Sequence, residues 1–142
     1  MATQFKINNA TTKIGKTVAL KLRLRADGIE GAFKATVLWD AGILQFKGMR
    51  LVGPPTASLG TNESNIAGGQ VVILVNPVPY PFEKTKGFAD IVELTFEATA
   101  SGKSPVKFGG EPFHHANNVS HITSGALLKA KWTEGRVTVK AK

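Results

Sequence analysis

The sequence predicts an all-β fold, a two-sheet sandwich of about nine short strands joined by jelly-roll connections. Three observations predict it. Apolar residues recur at every second position in one segment after another; glycine, proline and asparagine punctuate the intervals; and no stretch of roughly eleven residues carries the helical period.

The elements follow in order. Residues 4–8 alternate weakly, with Phe5 and Ile7 on one side, and fit a short first strand. Gly15 and Lys16 mark a turn, after which Val18, Leu20, Leu22 and Leu24 alternate with Ala19, Lys21, Arg23 and Arg25, one face for a core and one for water. Asp27 and Gly28 turn the chain into residues 29–46, where Phe33, Ala35, Val37 and Trp39 alternate with small or polar residues. The pattern breaks at Asp40, Ala41 and Gly42 and resumes at Leu44 and Phe46, giving a strand, a tight corner and a second strand. Gly53, Pro54 and Pro55 end that strand, because proline cannot donate to a ladder.

After a loop-rich passage, residues 70–76 read Q-V-V-I-L-V-N, apolar at every position between polar ends, which implies burial on both faces. Residues 76–82, N-P-V-P-Y-P-F, are too rich in proline for a helix or a central strand and read as an extended loop. In residues 88–98, Val92, Leu94, Phe96 and Ala98 face inward and Glu93, Thr95 and Glu97 outward. A short strand at 106–108 follows. Residues 111–124 are polar and irregular, and alternation returns with Leu128, Ala130 and Trp132 and then with Val137 and Val139 in a terminal strand.

With 142 residues the chain has room for one core, so residues 1–142 read as a single domain. Hydrophobic residues at 42% and charged residues at 20% match ordinary globular usage and exclude a disordered or fibrous chain. Cysteine is absent, which removes disulfides, thiolate metal sites and a cysteine nucleophile together. No apolar run approaches the ~20 residues a spanning helix needs, so no membrane insertion is expected. Met1-Ala-Thr-Gln lacks the basic and apolar regions of a secretory leader, and the chain reads as an excised domain. The net charge of +8 invites nucleic acid as a partner. The basic residues are spread from Lys6 to Lys142, however, and accompany no nucleic-acid motif, so nucleic acid is not expected.

Four landmarks stand in a fixed order: I-G-K-T-V before the leucine strand, G-A-F-K-A-T-V-L-W-D-A-G-I-L at the corner, G-F-A-D-I-V-E-L-T-F-E-A followed by S-G, and the closing E-G-R-V-T-V. Together they resemble the cohesin family of protein-binding β-sandwich modules over nearly the whole chain. The sequence differs from the family in places: Ala41 stands where many cohesins have proline, V-A-L-K-L where many have V-x-V-P-V, and Lys34 where cellulosomal members often carry aspartate, which reverses the charge.

The resemblance implies a non-catalytic module, extracellular or at the cell surface, that binds a dockerin through one sheet face built from the third, fifth, sixth and eighth strands. It implies no cofactor on this chain, with calcium on the dockerin partner, and it leaves room for weak self-association. Mapped by strand, the face presents Ala32, Lys34, Thr36 and Leu38 beside one side of the 70–76 run. That side is either Val71, Ile73 and Val75 or Val72 and Leu74, of which the first set is taken as the docking row. Because a two-layer sandwich leaves an outer face in water, one set of these apolar side chains needs a cover, either a partner or the loop at 77–82.

Other chemistries have less support. His114, His115 and His121 share a loop-like stretch, but adjacent side chains on extended chain point apart and only Glu111 is near, so a metal site is not expected. Glu93 and Glu97 lie four residues apart on one strand face, ~13 Å, beyond the spacing of a glycosidase pair. The main competitor is a carbohydrate-binding module, which shares the architecture and uses exposed aromatics. Alternation places Trp39 and Trp132 toward the core, leaving Tyr80 and Phe82 as the candidate sugar platform.

Overall fold

In a computed structural model, which describes residues 3–53, 57–77, 81–109 and 117–142, alternation becomes two facing layers. Twelve strands are present among the described residues: β1 (Thr3–Ile7), β2 (Ala10–Lys13), β3 (Thr17–Arg25), β4 (Glu30–Leu38), β5 (Leu44–Leu51), β6 (Ser58–Asn62), β7 (Gln70–Asn76), β8 (Ala89–Ala98), β9 (Gly102–Phe108), β10 (Asn118–His121), β11 (Ala130–Thr133) and β12 (Gly135–Lys140). The first sheet runs β11-β1-β3-β8-β5 and the second β2-β12-β9-β4-β7-β6, with β10 added to the free half of the β4 edge. Among the described residues the helical content is one 3₁₀ turn at Ile66–Gly68, and no helix is long and apolar enough to cross a membrane.

The all-β sandwich expected from alternation is present, with twelve strands in place of about nine. The three extra strands, β2, β6 and β10, share a physical reason for being illegible. Each is four or five residues long, and each carries polar or small side chains where a period-two pattern would need apolar ones. Main-chain pairing with β12, β7 and β4 holds them, and main-chain hydrogen bonds leave no signature in side-chain hydropathy.

The inward set is the one the alternation marks. Leu20, Leu22 and Leu24 of β3 and Val92, Leu94, Phe96 and Ala98 of β8 meet Phe33, Ala35 and Val37 of β4 across the interior. Aromatic rings fill the two ends. Phe5 packs on Phe33 with centroids 4.7 Å apart, and Phe33 on Phe82 at 5.8 Å; at the other end Trp39 and Phe46 both meet Phe96, at 5.1 and 5.7 Å. Each such contact adds roughly 0.5–1.5 kcal/mol beyond the buried area.

The corner after Trp39 forms as read. The Asp40 carboxylate accepts a hydrogen bond from the Gly42 N–H at 2.9 Å, and the Asp40 carbonyl accepts from the Ile43 and Leu44 N–H groups, which reverses the chain into β5. Ser104 Oγ accepts from the Asp40 N–H at 2.9 Å and ties the corner to β9.

The chain changes sheets twice in parallel. Between β1 and β2 it crosses from the first sheet to the second at Asn8, and between β11 and β12 it makes the same crossing at Glu134. β1 pairs in parallel with β11, and β2 in parallel with β12, so the two crossings run side by side. Gly135 permits this approach, since a Cβ there would collide with the Asn8 and Ile7 carbonyl oxygens.

Candidate docking face

Strand pairing fixes which side chains share the outer face of the second sheet. β4 and β7 are antiparallel, with Lys34 opposite Leu74, Thr36 opposite Val72 and Leu38 opposite Gln70; β6 continues the rows with Gly60 opposite Leu74 and Asn62 opposite Val72. On the far side Lys107 of β9 lies opposite Leu38. Residues directly opposite in an antiparallel pair point to the same side, so these form rows across one surface.

The same register moves part of the expected docking row indoors. Phe33 is opposite Val75, Ala35 opposite Ile73 and Val37 opposite Val71, and all six are core residues. Val71, Ile73 and Val75 therefore belong to the interior, and the outward side of β7 is Val72 and Leu74. Val72 is nearly covered at 7% exposure, whereas Leu74 is 47% exposed. The reason is visible in its row: Gly60, with no side chain, stands beside it. On β4, Ala32, Lys34 and Leu38 are half-buried on the outer side, while Thr36 is fully buried, with its N–H donating to Asn117 Oδ1 at 2.7 Å. Asn117 was not marked by any sequence pattern.

Charge is distributed differently on the two outer faces. On the first sheet cations and anions interleave: Lys21 and Arg50 both reach Glu93, at 3.1 Å each, Arg23 reaches Asp90 at 2.9 Å, and Lys47 approaches Glu97 at 3.8 Å. Hydrogen bonds from Arg50 and Lys21 hold the Glu93 carboxyl below the usual carboxylate range. On the second sheet the outward strand positions carry Lys13, Lys34, Lys103, Lys107, Arg136 and Lys140 and, among the described residues, no aspartate or glutamate. Glu30 on β4 is no exception, being buried with its carboxylate turned to the Thr3 hydroxyl at 2.5 Å and to the N–H groups of Asp27, Gly28 and Ile29.

Of the two aromatics expected to serve a sugar, the described one, Phe82, is not at the surface. Phe82 is 2% exposed and packs against Phe33, because its N–H donates to the Glu30 carbonyl at 3.0 Å and draws the chain over the open end of the sandwich. Tyr80 lies outside the described residues. Trp39 is buried, and Trp132 is half-buried with one ring face stacked on Phe5, centroids 4.1 Å apart. Phe108 meets Trp132 edge-on at 5.1 Å, and the two line an open hollow of about 400 Å³ with Lys107, Asn117 and Glu134. His114, His115 and Glu111 lie outside the described residues, and His121 Nδ1 accepts from the Thr123 and Ser124 N–H groups as part of its own turn. Among the described residues no cluster of three or more metal-ligating side chains occurs.

No family model and no curated protein matches the sequence. Solved structures match it closely in shape. A cohesin in a cohesin–dockerin complex from Clostridium thermocellum aligns with a TM-score of 0.81 at 13% identity, over 99% of this chain and 95% of its own. The sixth cohesin of scaffoldin B from Acetivibrio cellulolyticus, solved in complex with a mutant dockerin, aligns at 0.80 and 18% identity over 99% and 100%. A non-cellulosomal cohesin from the archaeon Archaeoglobus fulgidus aligns at 0.78 and 12% identity over 99% and 92%.

This is the cohesin fold. Its layout places the four strands of interest side by side in the order β9-β4-β7-β6, as one continuous surface. The cohesin resemblance read from the four landmarks is thereby supported at the level of architecture, at identities where the shared feature is the fold alone.

Proposed function

We propose that this chain is a non-catalytic module, extracellular or at the cell surface, that captures a dockerin-like protein through the outer face formed by β9, β4, β7 and β6. Leu74 carries the reading. It is a large aliphatic side chain, 47% exposed, on an interior strand of a sheet whose remaining β7 aliphatics are buried. With nearly half of its surface in water, its burial under a partner is favourable at roughly 25 cal/mol per Å². The side-chain-free Gly60 opposite it leaves one flank open, and Leu38, in the row of Gln70, adds a second partly exposed aliphatic ~13 Å along the same face. The cohesins of Clostridium thermocellum and Acetivibrio cellulolyticus with this fold were solved with dockerins bound, which supports the same class of partner here. The docking row is thus revised to Ala32, Lys34, Leu38, Val72 and Leu74.

The test is capture of calcium-loaded dockerin modules displayed on yeast, by the wild-type chain and by a Leu38→Asp, Leu74→Asp variant. The expected result is retained circular dichroism with binding weakened at least tenfold. Calcium chelation is expected to abolish capture without moving the melting temperature of this chain, because the ion belongs to the partner. Undiminished capture by the folded variant would falsify the site.

A further inference from the structure

The outer face of the second sheet is divided lengthwise by chemistry. β9 and β12 present Lys103, Lys107, Arg136 and Lys140, whereas β7 and β6 present Gln70, Val72, Leu74, Asn76, Ser58, Gly60 and Asn62, with no charge at all. β4 lies on the boundary, with Leu38 in the row of Lys107 and Lys34 in the row of Leu74. The first sheet shows what this sequence does elsewhere with a cationic strand: it sets Glu93, Asp90 and Glu97 opposite the lysines and arginines. On β9 and β12 no described acid occupies an outward strand position: Glu134, in the turn before β12, lines hollows with Lys107 and with Arg136, while Lys103 and Lys140 have no acid opposite them in the ladder. Like charges held together repel and lower stability, a cost that an opposing acidic surface removes.

We infer that the partner of this face is an acidic protein module, one whose contact surface pairs an apolar strip with a row of aspartate or glutamate along one side only. The apolar strip sits on Leu74 and Leu38, and the acidic row lies over Lys103, Lys107 and Arg136. The dimensions suit a helix. Adjacent strands are ~4.8 Å apart, so at the Leu38 end of β4, where β9 pairs with it, β7 and β9 lie ~10 Å from each other, about the width of one α-helix. A helix laid over the Leu38 end of β4 with its apolar stripe toward β7 would turn its opposite flank to Lys107 on β9. Because the complementary charges sit beside the apolar contact, they steer encounter and fix which way round the partner lies.

This inference rests on the docking reading for the position of the partner, and the experiment separates the two. In the first arm the probe is a deca-glutamate peptide, titrated at low salt into the ¹⁵N-labelled chain. Amide shifts are expected in β9 and β12. Lys103→Glu, Lys107→Glu, Arg136→Glu together are expected to weaken the peptide at least tenfold, while Lys84→Glu, Lys86→Glu, Lys131→Glu, which change the net charge equally on exposed positions elsewhere, alter it less than twofold. Equal losses in both triple variants, or shifts confined to the first sheet, overturn the inference. So does a ten-nucleotide single-stranded DNA that binds tenfold tighter than the peptide, since the face would then serve nucleic acid. In the second arm a displayed dockerin library is selected against the wild-type chain. Binders enriched in acidic residues and lost on the Lys103, Lys107, Arg136 variant are the expected result. Binders with neutral or basic surfaces, indifferent to that variant, overturn the acidic partner while leaving dockerin capture intact. A library that returns no binder overturns dockerin capture, and the peptide arm then decides the acidic partner alone.

Discussion

Glu30 is a carboxylate with no exposure, which is costly unless its charge is answered. Burial pushes its pKa up, but the Thr3 hydroxyl and the backbone N–H groups of the 27–30 turn together outweigh that and bring it below the ordinary carboxylate value. The sign of the pH effect follows. A carboxyl with a depressed native pKa contributes stability that is complete above the unfolded value, ~4.3, and is lost as pH falls through the native value. Glu30→Gln is expected to cost about 2–3 kcal/mol at pH 7, since charged hydrogen bonds are lost at a buried site. The deficit relative to wild type should begin to shrink as pH falls below ~4.3, where the unfolded carboxyl takes up its proton, and should close only below the depressed native value, as read by urea denaturation across pH. A deficit constant with pH would show that the charge plays no part. Hydropathy gives no hint of this role: Glu30 sits in I-E-G-A-F, where alternation alone would leave it in water.

β7 shows where legibility stops. Five apolar residues between polar ends, Q-V-V-I-L-V-N, announce burial on both faces, and all five but Leu74 are indeed covered. They cannot announce which set is inside, because the strand has no alternation of its own to read. That information is held by β4, whose Phe33, Ala35 and Val37 are unmistakably inward and whose pairing with Val75, Ile73 and Val71 sets the parity of β7. A shift of one residue in that register exchanges the two sets, so the sequence alone is compatible with either row facing outward. In the strands with alternation, β3, β4 and β8, the inward apolar residues are legible, whereas the burial of Glu30, Thr36 and Ile91 runs against the pattern. The polar edge strands are not legible, because main-chain pairing defines them. The two rows of β7 give opposite expectations for the same substitution. Ile73→Asp places an unpaired charge in the core and is expected to cost more than about 4 kcal/mol, near the whole stability of a domain this size. Leu74→Asp is expected to shift stability by less than about 0.5 kcal/mol in thermal or urea denaturation. Equal effects at the two positions would mean the register is wrong.

For the whole molecule, composition set the class and the single core, and ordered landmarks such as E-G-R-V-T-V carried the likeness to a known architecture. What no local pattern could carry was the parallel pairing of distant strands, β1 with β11 and β2 with β12, across more than a hundred residues of chain. Those pairings have a mechanical meaning. Thr3 lies beside Ala130 at the start of one parallel pair, and Lys140 beside Lys13 at the finish of the other. Tension applied to the two ends pulls β1 backward and the β11–β12 ribbon forward, loading every cross-strand bond of both pairs at once in shear. Gln4 and Arg25, by contrast, sit opposite each other at one end of the antiparallel β1–β3 ladder, where force opens bonds one after another like a zip. In an optical trap, rupture between handles at residues 3 and 140 is expected to need markedly more force than rupture between handles at 3 and 27, and equal forces would contradict it. A module knitted in this way can hold a tethered load without the tether itself prising it apart.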